Sequence, residues 1–200
     1  TGDIPSNFIN SVIEITPRWD ARAAFANGYI YVTGGCSTGD PAASCSVRST
    51  LTEYVEVFNA GNKGTTWTNS SNVYSTNRNP SAVAYNGYIY VAGGCTSFNV
   101  GTSFGNTFCS VASNTTAYAA LNPDGSIGSW TNGPNLTASD TRAGGCLVAQ
   151  GGYLYYIGGE NSGGTAQSTV LYSQIGANGV PGSWTSGTSL ASGATRAWHA

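Results

Sequence analysis

Charge is what this sequence has least of. Charged residues make up 8% of the 200-residue chain, against a usual figure of about 25%. Lys63 is the single lysine, His199 the single histidine, and methionine is absent. Net charge is −2, so no basic patch exists for a phosphate backbone and nucleic acid is excluded as a partner class. No apolar run approaches the ~18 residues of a membrane span, and no basic amphipathic stretch suits a lipid surface. The chain starts at Thr1-Gly2 without a charged-then-apolar leader, so a signal peptide is expected to have been removed or to lie outside these residues.

Chemistry is scarce for the same reason. One histidine and no Cys-x-x-Cys leave no ligand set for a metal. A Gly-x-Ser-x-Gly elbow and a phosphate loop are both missing. The nine carboxylates are not grouped by spacing into a hydrolytic pair. The expectation is a protein with no catalytic residues, no metal and no cofactor.

Glycine and aromatics are what the chain does have. One phrase is written three times: Asn27-Gly-Tyr-Ile-Tyr-Val-Thr-Gly-Gly35, Asn86-Gly-Tyr-Ile-Tyr-Val-Ala-Gly-Gly94 and Gly151-Gly-Tyr-Leu-Tyr-Tyr-Ile-Gly-Gly159. The glycine pairs recur after 59 and 65 residues, which is repeat spacing. Asn-Gly suits a two-residue hairpin turn with positive φ at both positions. The Tyr-Ile-Tyr-Val run is apolar on both faces and so predicts a strand sandwiched between sheets. Each unit carries an Arg, the glycine pair, a Tyr (Tyr54, Tyr118, Tyr172) and a Trp (Trp67, Trp130, Trp184), with the fourth strand predicted around the Trp.

The five cysteines add a second repeat. Cys36 and Cys95 each follow a glycine pair directly, with Cys45 and Cys109 nine and fourteen residues on. The shared placement predicts two local disulfides, Cys36–Cys45 and Cys95–Cys109, each closing a long loop, and hence an oxidising compartment. Cys146 is left over as a buried free thiol. Together with the hydroxyl-rich composition this points to an extracellular or cell-surface location.

Four short strands per unit with tight turns is the pattern of a propeller blade. Arg, Tyr-x-x-Gly-Gly, Tyr and Trp in that order resemble the kelch repeat over nearly the whole chain. The Gly-Ser-Trp-Thr phrase (Gly128–Thr131 and Gly182–Thr185) resembles kelch-type repeats of bacterial extracellular proteins. The expected fold is an all-β, kelch-type β-propeller. Residues 1–17 give the outer strand of an incomplete blade, 18–75 blade 1, 76–138 blade 2, 139–192 blade 3, and 193–200 the start of a further blade. That arrangement calls for further blades from a longer chain or another copy. The resemblance does not bring the chemistry of kelch-like copper oxidases, which need histidine ligands. Asp124-Gly-Ser-Ile-Gly-Ser-Trp130 is one residue too long for the Asp box of sialidase-type propellers.

Topology separates the two faces of such a propeller. Tight Asn-Gly and Asp-Gly turns fall on one, and the Cys-bounded loops, the Glu160–Gln167 loop and the arginines at each blade start fall on the other. Varied loops on a rigid scaffold are where binding resides, so the loop face is the candidate site. It centres on Phe98, Phe104 and Phe108, with Arg78 and Arg142 at its base. The three rings serve either as a stacking platform for a sugar or apolar peptide or as the loop's own core. The arginines, including Arg18, Arg22 and Arg196, serve either an acidic ligand or the support of the loops. The leading expectation is a secreted or surface binding module, adhesive or carbohydrate-binding, with a protein or glycan ligand and no catalysis. The alternative is the scaffold portion of a larger carbohydrate-active enzyme.

Overall fold

The computed structural model describes residues 17–40, 44–57, 66–70, 79–100, 107–137 and 139–191, and only the backbone at 38–40, 44–46, 98–100 and 107–108. The expected end strands at 1–17 and 193–200 lie almost entirely outside these residues. Among the described residues there is no helix.

The first unit contains β1 (Arg22–Ala26), β2 (Tyr29–Thr33), β3 (Cys36–Asp40), β4 (Ser44–Arg48), β5 (Thr52–Glu56) and β6 (Thr68–Asn69). The second contains β7 (Ser81–Tyr85), β8 (Tyr88–Ala92), β9 (Cys95–Val100), β10 (Thr107–Ala112), β11 (Thr116–Ala120) and β12 (Thr131–Asn132). The third contains β13 (Cys146–Gln150), β14 (Tyr153–Ile157), β15 (Val170–Gln174) and β16 (Thr185–Ser186). Three antiparallel four-stranded sheets result: β1-β2-β5-β6, β7-β8-β11-β12 and β13-β14-β15-β16. The Asn-Gly turns do what their sequence requires, with φ of 52° and 83° at Asn27-Gly28 and 47° and 78° at Asn86-Gly87.

Two expectations change. The Cys-bounded stretches are not open loops but separate hairpins, β3–β4 and β9–β10, each with bulges in its register. Rows of Ser, Thr and Gly carry no hydrophobic alternation, so periodicity does not reveal such strands. The fourth strands shrink to two residues each and begin just after Trp67, Trp130 and Trp184.

Register puts the repeated tyrosines on one face of each sheet. Tyr31 pairs with Tyr54, Tyr90 with Tyr118 and Tyr155 with Tyr172, and the first two pairs stack with ring centroids 6.0 and 6.4 Å apart. The tyrosine face of one blade packs on the aliphatic face of the next. Ala24 and Tyr31 meet Ile89, Ala119, Leu121 and Ile127. Tyr90 meets Leu147, Leu154, Tyr156, Leu171 and Trp184. Each such side chain contributes about 1.5–3 kcal/mol on full burial, so these two joints are the core.

The turn between third and fourth strands locks each joint. A Cβ on Gly125 of blade 2 would lie 2.4 Å from the ring of Tyr29 in blade 1. A Cβ on Gly179 of blade 3 would lie 2.3 Å from the ring of Tyr88 in blade 2, and the Tyr90 hydroxyl donates to the Gly179 carbonyl at 3.0 Å. A second lock joins the first strands. Asp20, Asn79 and Gly144, each two residues before its strand, share φ of 56°, 52° and 62°. The Asn79 amide donates to Asp20 O at 2.9 Å and the Gly144 amide to Asn79 O at 3.2 Å.

Candidate interaction face

Hairpins β3–β4 and β9–β10 and the 158–169 connection of blade 3 occupy the same place in the three repeats, between second and third strands. Each begins after a glycine pair: Gly35 leads into Cys36, Gly94 into Cys95 and Gly159 into Glu160. The first two positions hold half-cystines and the third a carboxylate.

The disulfide Cys95–Cys109 forms across β9 and β10, with Cα atoms 5.7 Å apart. Both halves are fully buried and pack with Ala112 and with Ala143 of the next blade. Cys36 is also disulfide-bonded, and the side chain of Cys45 lies outside the described residues. Cys146 is free and only half-buried, rather than enclosed.

Side chains tie the three segments together. A guanidinium N–H of Arg48, at the end of β4, donates to the Thr96 carbonyl in β9. From the other side, the Glu160 carboxylate accepts the Cys109 amide at 2.9 Å. Ser162 Oγ accepts the Ala112 amide at 3.0 Å, and the Gly163 amide donates to Cys109 O at 3.0 Å. The result is a platform across all three blades. Its exposed apolar residues repeat as well: Val47 and Val111, 51% and 49% exposed, each precede the last residue of a hairpin. Each valine carbonyl accepts a hydroxyl from across its hairpin, Ser37 at 3.3 Å and Thr96 at 3.1 Å.

The arginines lie beneath this platform. Arg18 donates to Gly34 O (3.2 Å), Ser49 Oγ (2.8 Å) and Leu51 O (2.9 Å), and pairs with Glu53. The pair is buried, with side-chain exposures of 1% and 2%. Arg142 is 1% exposed and holds Thr141 O at 3.1 Å and Asp140 Oδ1 at 2.5 Å. Both guanidiniums support the backbone from within. Arg78 and Phe104 lie outside the described residues, as do the side chains of Phe98 and Phe108. Backbone register sets Phe98 opposite Cys109 and Phe108 opposite Asn99.

Two buried acids carry much of this geometry and are not singled out by sequence. Glu53 is 1% exposed at the position where the other units have Ala117 and Leu171. Aligning the repeats exposes it: an acid stands where its equivalents are apolar. Glu160, 2% exposed, is legible the same way, as an acid in the half-cystine position. Among the described residues no group of three or more His, Cys, Asp or Glu is placed to hold a metal ion, and no helix is long and apolar enough to cross a membrane.

On the opposite face the Asp124 turn is closed by its own hydrogen bonds. Asp124 Oδ1 accepts both the amide (3.0 Å) and hydroxyl (2.7 Å) of Ser126. These bonds, hydroxyl first, hold its carboxyl below the usual aspartate range. Burial, then the neighbouring Tyr29 and Tyr54, pushes Tyr31 up to about 12. Burial, then Tyr88 and Tyr118, does the same for Tyr90.

No family model matches the chain. It is 32% identical over 177 residues to beta-scruin of Limulus polyphemus, a kelch-repeat protein. That match covers 87% of this chain and 17% of beta-scruin. Among solved structures it resembles that of YjhT, a kelch-type propeller, with a TM-score of 0.58 and 17% identity over 86% of this chain and 46% of that one. The chain thus spans less than half the length of either. Its antiparallel four-stranded sheets, with no helix among the described residues, and this structural likeness are those of a kelch-type β-propeller, and that is the fold this chain adopts.

Proposed function

We propose that the chain is a protein-interaction module, with its partner docking on the hairpin face. The observation that carries this reading is the contrast in construction between the faces. On one, the short glycine turns of blades 2 and 3 are packed beneath tyrosine rings of the preceding blade. On the other, hairpins of differing sequence are clamped edge to edge and expose Val47 and Val111 at matched positions. Long, chemically varied segments on a rigid scaffold suit recognition, and paired exposed apolar residues suit a protein surface or a neutral glycan. A charged ligand fits poorly, because Arg18 and Arg142 are already bonded inside. The module does no chemistry of its own: Glu53 and Glu160 hold Arg18 and Cys109. Buried disulfides support an extracellular or surface setting.

The test is binding to glycan and peptide arrays by the wild type, by Val47→Lys with Val111→Lys, and by Phe98→Ala with Phe104→Ala, alongside Tm. Lost binding at unchanged Tm supports the reading. Binding that survives both pairs of substitutions places recognition elsewhere.

A neighbouring blade is a second partner. Phe25 on β1 and Val148 on β13 are 63% and 38% exposed. The residues equivalent to Phe25 are Ala84 and Ala149, and those equivalent to Val148 are Ala24 and Val83; all four pack inside the joints. Light scattering on the wild type and Phe25→Glu measures whether another copy takes that place.

A further inference from the structure

The hairpin of blade 2 is bound to blade 3 through Ala112 and, by two bonds, through Cys109, which is also half of a disulfide. Its amide donates to the Glu160 carboxylate, its carbonyl accepts from Gly163, and its sulfur packs with Ala112 and Ala143. Glu160 is itself fixed to blade 3, exchanging both backbone hydrogen bonds with Ala143 at 2.9 and 2.8 Å. Cys95 lies on the far strand of the hairpin, beside Thr96, whose carbonyl takes Arg48 from blade 1. A path of covalent and hydrogen bonds therefore runs from Arg48 through Thr96, Cys95, the disulfide, Cys109 and Glu160 to Ala143. The disulfide is its one covalent cross-strand link, closing a segment with a sequence separation of 14.

We propose that the Cys95–Cys109 disulfide is a redox-responsive clamp on the hairpin face. A dithiol transfers two electrons and two protons to it: the S–S bond breaks, Cys95 and Cys109 become thiols, and the dithiol leaves as its cyclic disulfide. The closed segment then regains the conformational freedom that cross-linking removed. β9–β10 has register shifts between Cys109 and Ala112, so its ladder is weakest where Glu160 and Ser162 reach it. Loss of the cross-link loosens that end first, and the Glu160, Ser162 and Gly163 bonds go with it. The blade 3 connection has no disulfide of its own, yet its order depends on one. This holds whatever docks on the face.

Hydrogen exchange by mass spectrometry on the full chain tests the clamp. It compares the wild type with and without dithiothreitol, the Cys95→Ser/Cys109→Ser variant, and a Cys36→Ser/Cys45→Ser control. We expect the amides of Cys109, Ala112 and Gly163 to exchange at least about tenfold faster once the link is gone, through local opening. Amides of β14 and β15 should keep their protection, and the Cys36 control should leave 160–167 unchanged. Glu160→Ala should deprotect the Cys109 amide in oxidised protein and add nothing in reduced protein. Unchanged protection of 160–167 in the serine variant overturns the proposal. If that variant does not fold, the wild type titrated with dithiothreitol decides, with thiols counted by alkylation. Reduction that accompanies only a loss of protection across every sheet at once also overturns it.

Discussion

The two faces of this propeller are built by opposite rules. On the turn face the same contact is made twice with the same residues: Gly125 beneath Tyr29 and Gly179 beneath Tyr88. On the hairpin face equivalent backbone positions do not keep one side chain through all three units. The residue after the glycine pair is Cys36, Cys95 or Glu160, and the residue ending the hairpin is Arg48 in blade 1 and Ala112 in blade 2. Uniform contacts set the angle between blades, and varied contacts decide how the loops sit on them. Repetition thus marks structure in this chain, and departure from repetition marks individual roles.

The strongest way to break that comparison is to remove a departure. Glu53→Ala leaves Arg18 charged and buried without its partner. The expected loss is about 3–5 kcal/mol, a Tm drop on the order of 10 °C, read by urea and thermal unfolding. In blade 2 the equivalent position is Ala117, an apolar residue in the same place on the third strand. A loss below about 1 kcal/mol would show that hydrogen bonds to Gly34, Ser49 and Leu51 hold the guanidinium without the carboxylate.

Two glycines sharpen it further. Gly87 and Gly125 have φ of 78° and 81°, so alanine costs each the same left-handed strain, about 1–2 kcal/mol. Only Gly125 has a ring in the way, while nothing lies within 4 Å of a Cβ on Gly87. Gly125→Ala should therefore destabilise by about 1–3 kcal/mol more. Equal effects in denaturant titrations would mean that the turn yields and does not lock the joint.

Tyr31 and Tyr90 offer a pH probe of the joints. Their hydroxyls are held protonated up to about 12, above the ordinary value near 10. Between those values the unfolded chain loses protons that the folded chain keeps, so stability falls as pH rises from about 10 to 12 and is unaffected by these groups below that. Tyrosinate absorbance should show a late step that coincides with unfolding. A single titration near 10, with the fold intact, would contradict tight joints.

The smallest expected effect belongs to the exposed valines. Val47→Lys and Val111→Lys should change stability by less than about 0.5 kcal/mol while altering whatever binds the hairpin face. A large loss of stability would make them part of the scaffold.

Legibility in the sequence followed the same division. Whatever is repeated could be read directly: the Asn-Gly turns, the strand they open, the tyrosine on the third strand and the blade plan. The Cys95–Cys109 bond was also readable, because its placement was written twice. The individual contacts were not. Glu53 sits in Thr-Glu-Tyr-Val-Glu, which reads as a half-exposed strand, and its partner Arg18 is 35 residues away. Arg142 resembles a ligand-facing cation until Asp140 and Thr141 are seen holding it. Hairpins β3–β4 and β9–β10 are invisible to periodicity because their Ser-, Thr- and Gly-rich strands carry no hydrophobic alternation.

The glycine beneath the tyrosine has a consequence for how such a chain is cut and rejoined. Each joint is made of a tyrosine from one blade and a glycine from the turn of the next, so neither blade carries a complete joint. A recombinant shuffled at blade boundaries must match two foreign half-joints. One shuffled from a tyrosine strand to the following glycine turn moves a joint whole. The natural module of exchange in this fold is therefore offset from the visible blade, and chimeras made at the two kinds of boundary should differ in yield of folded protein.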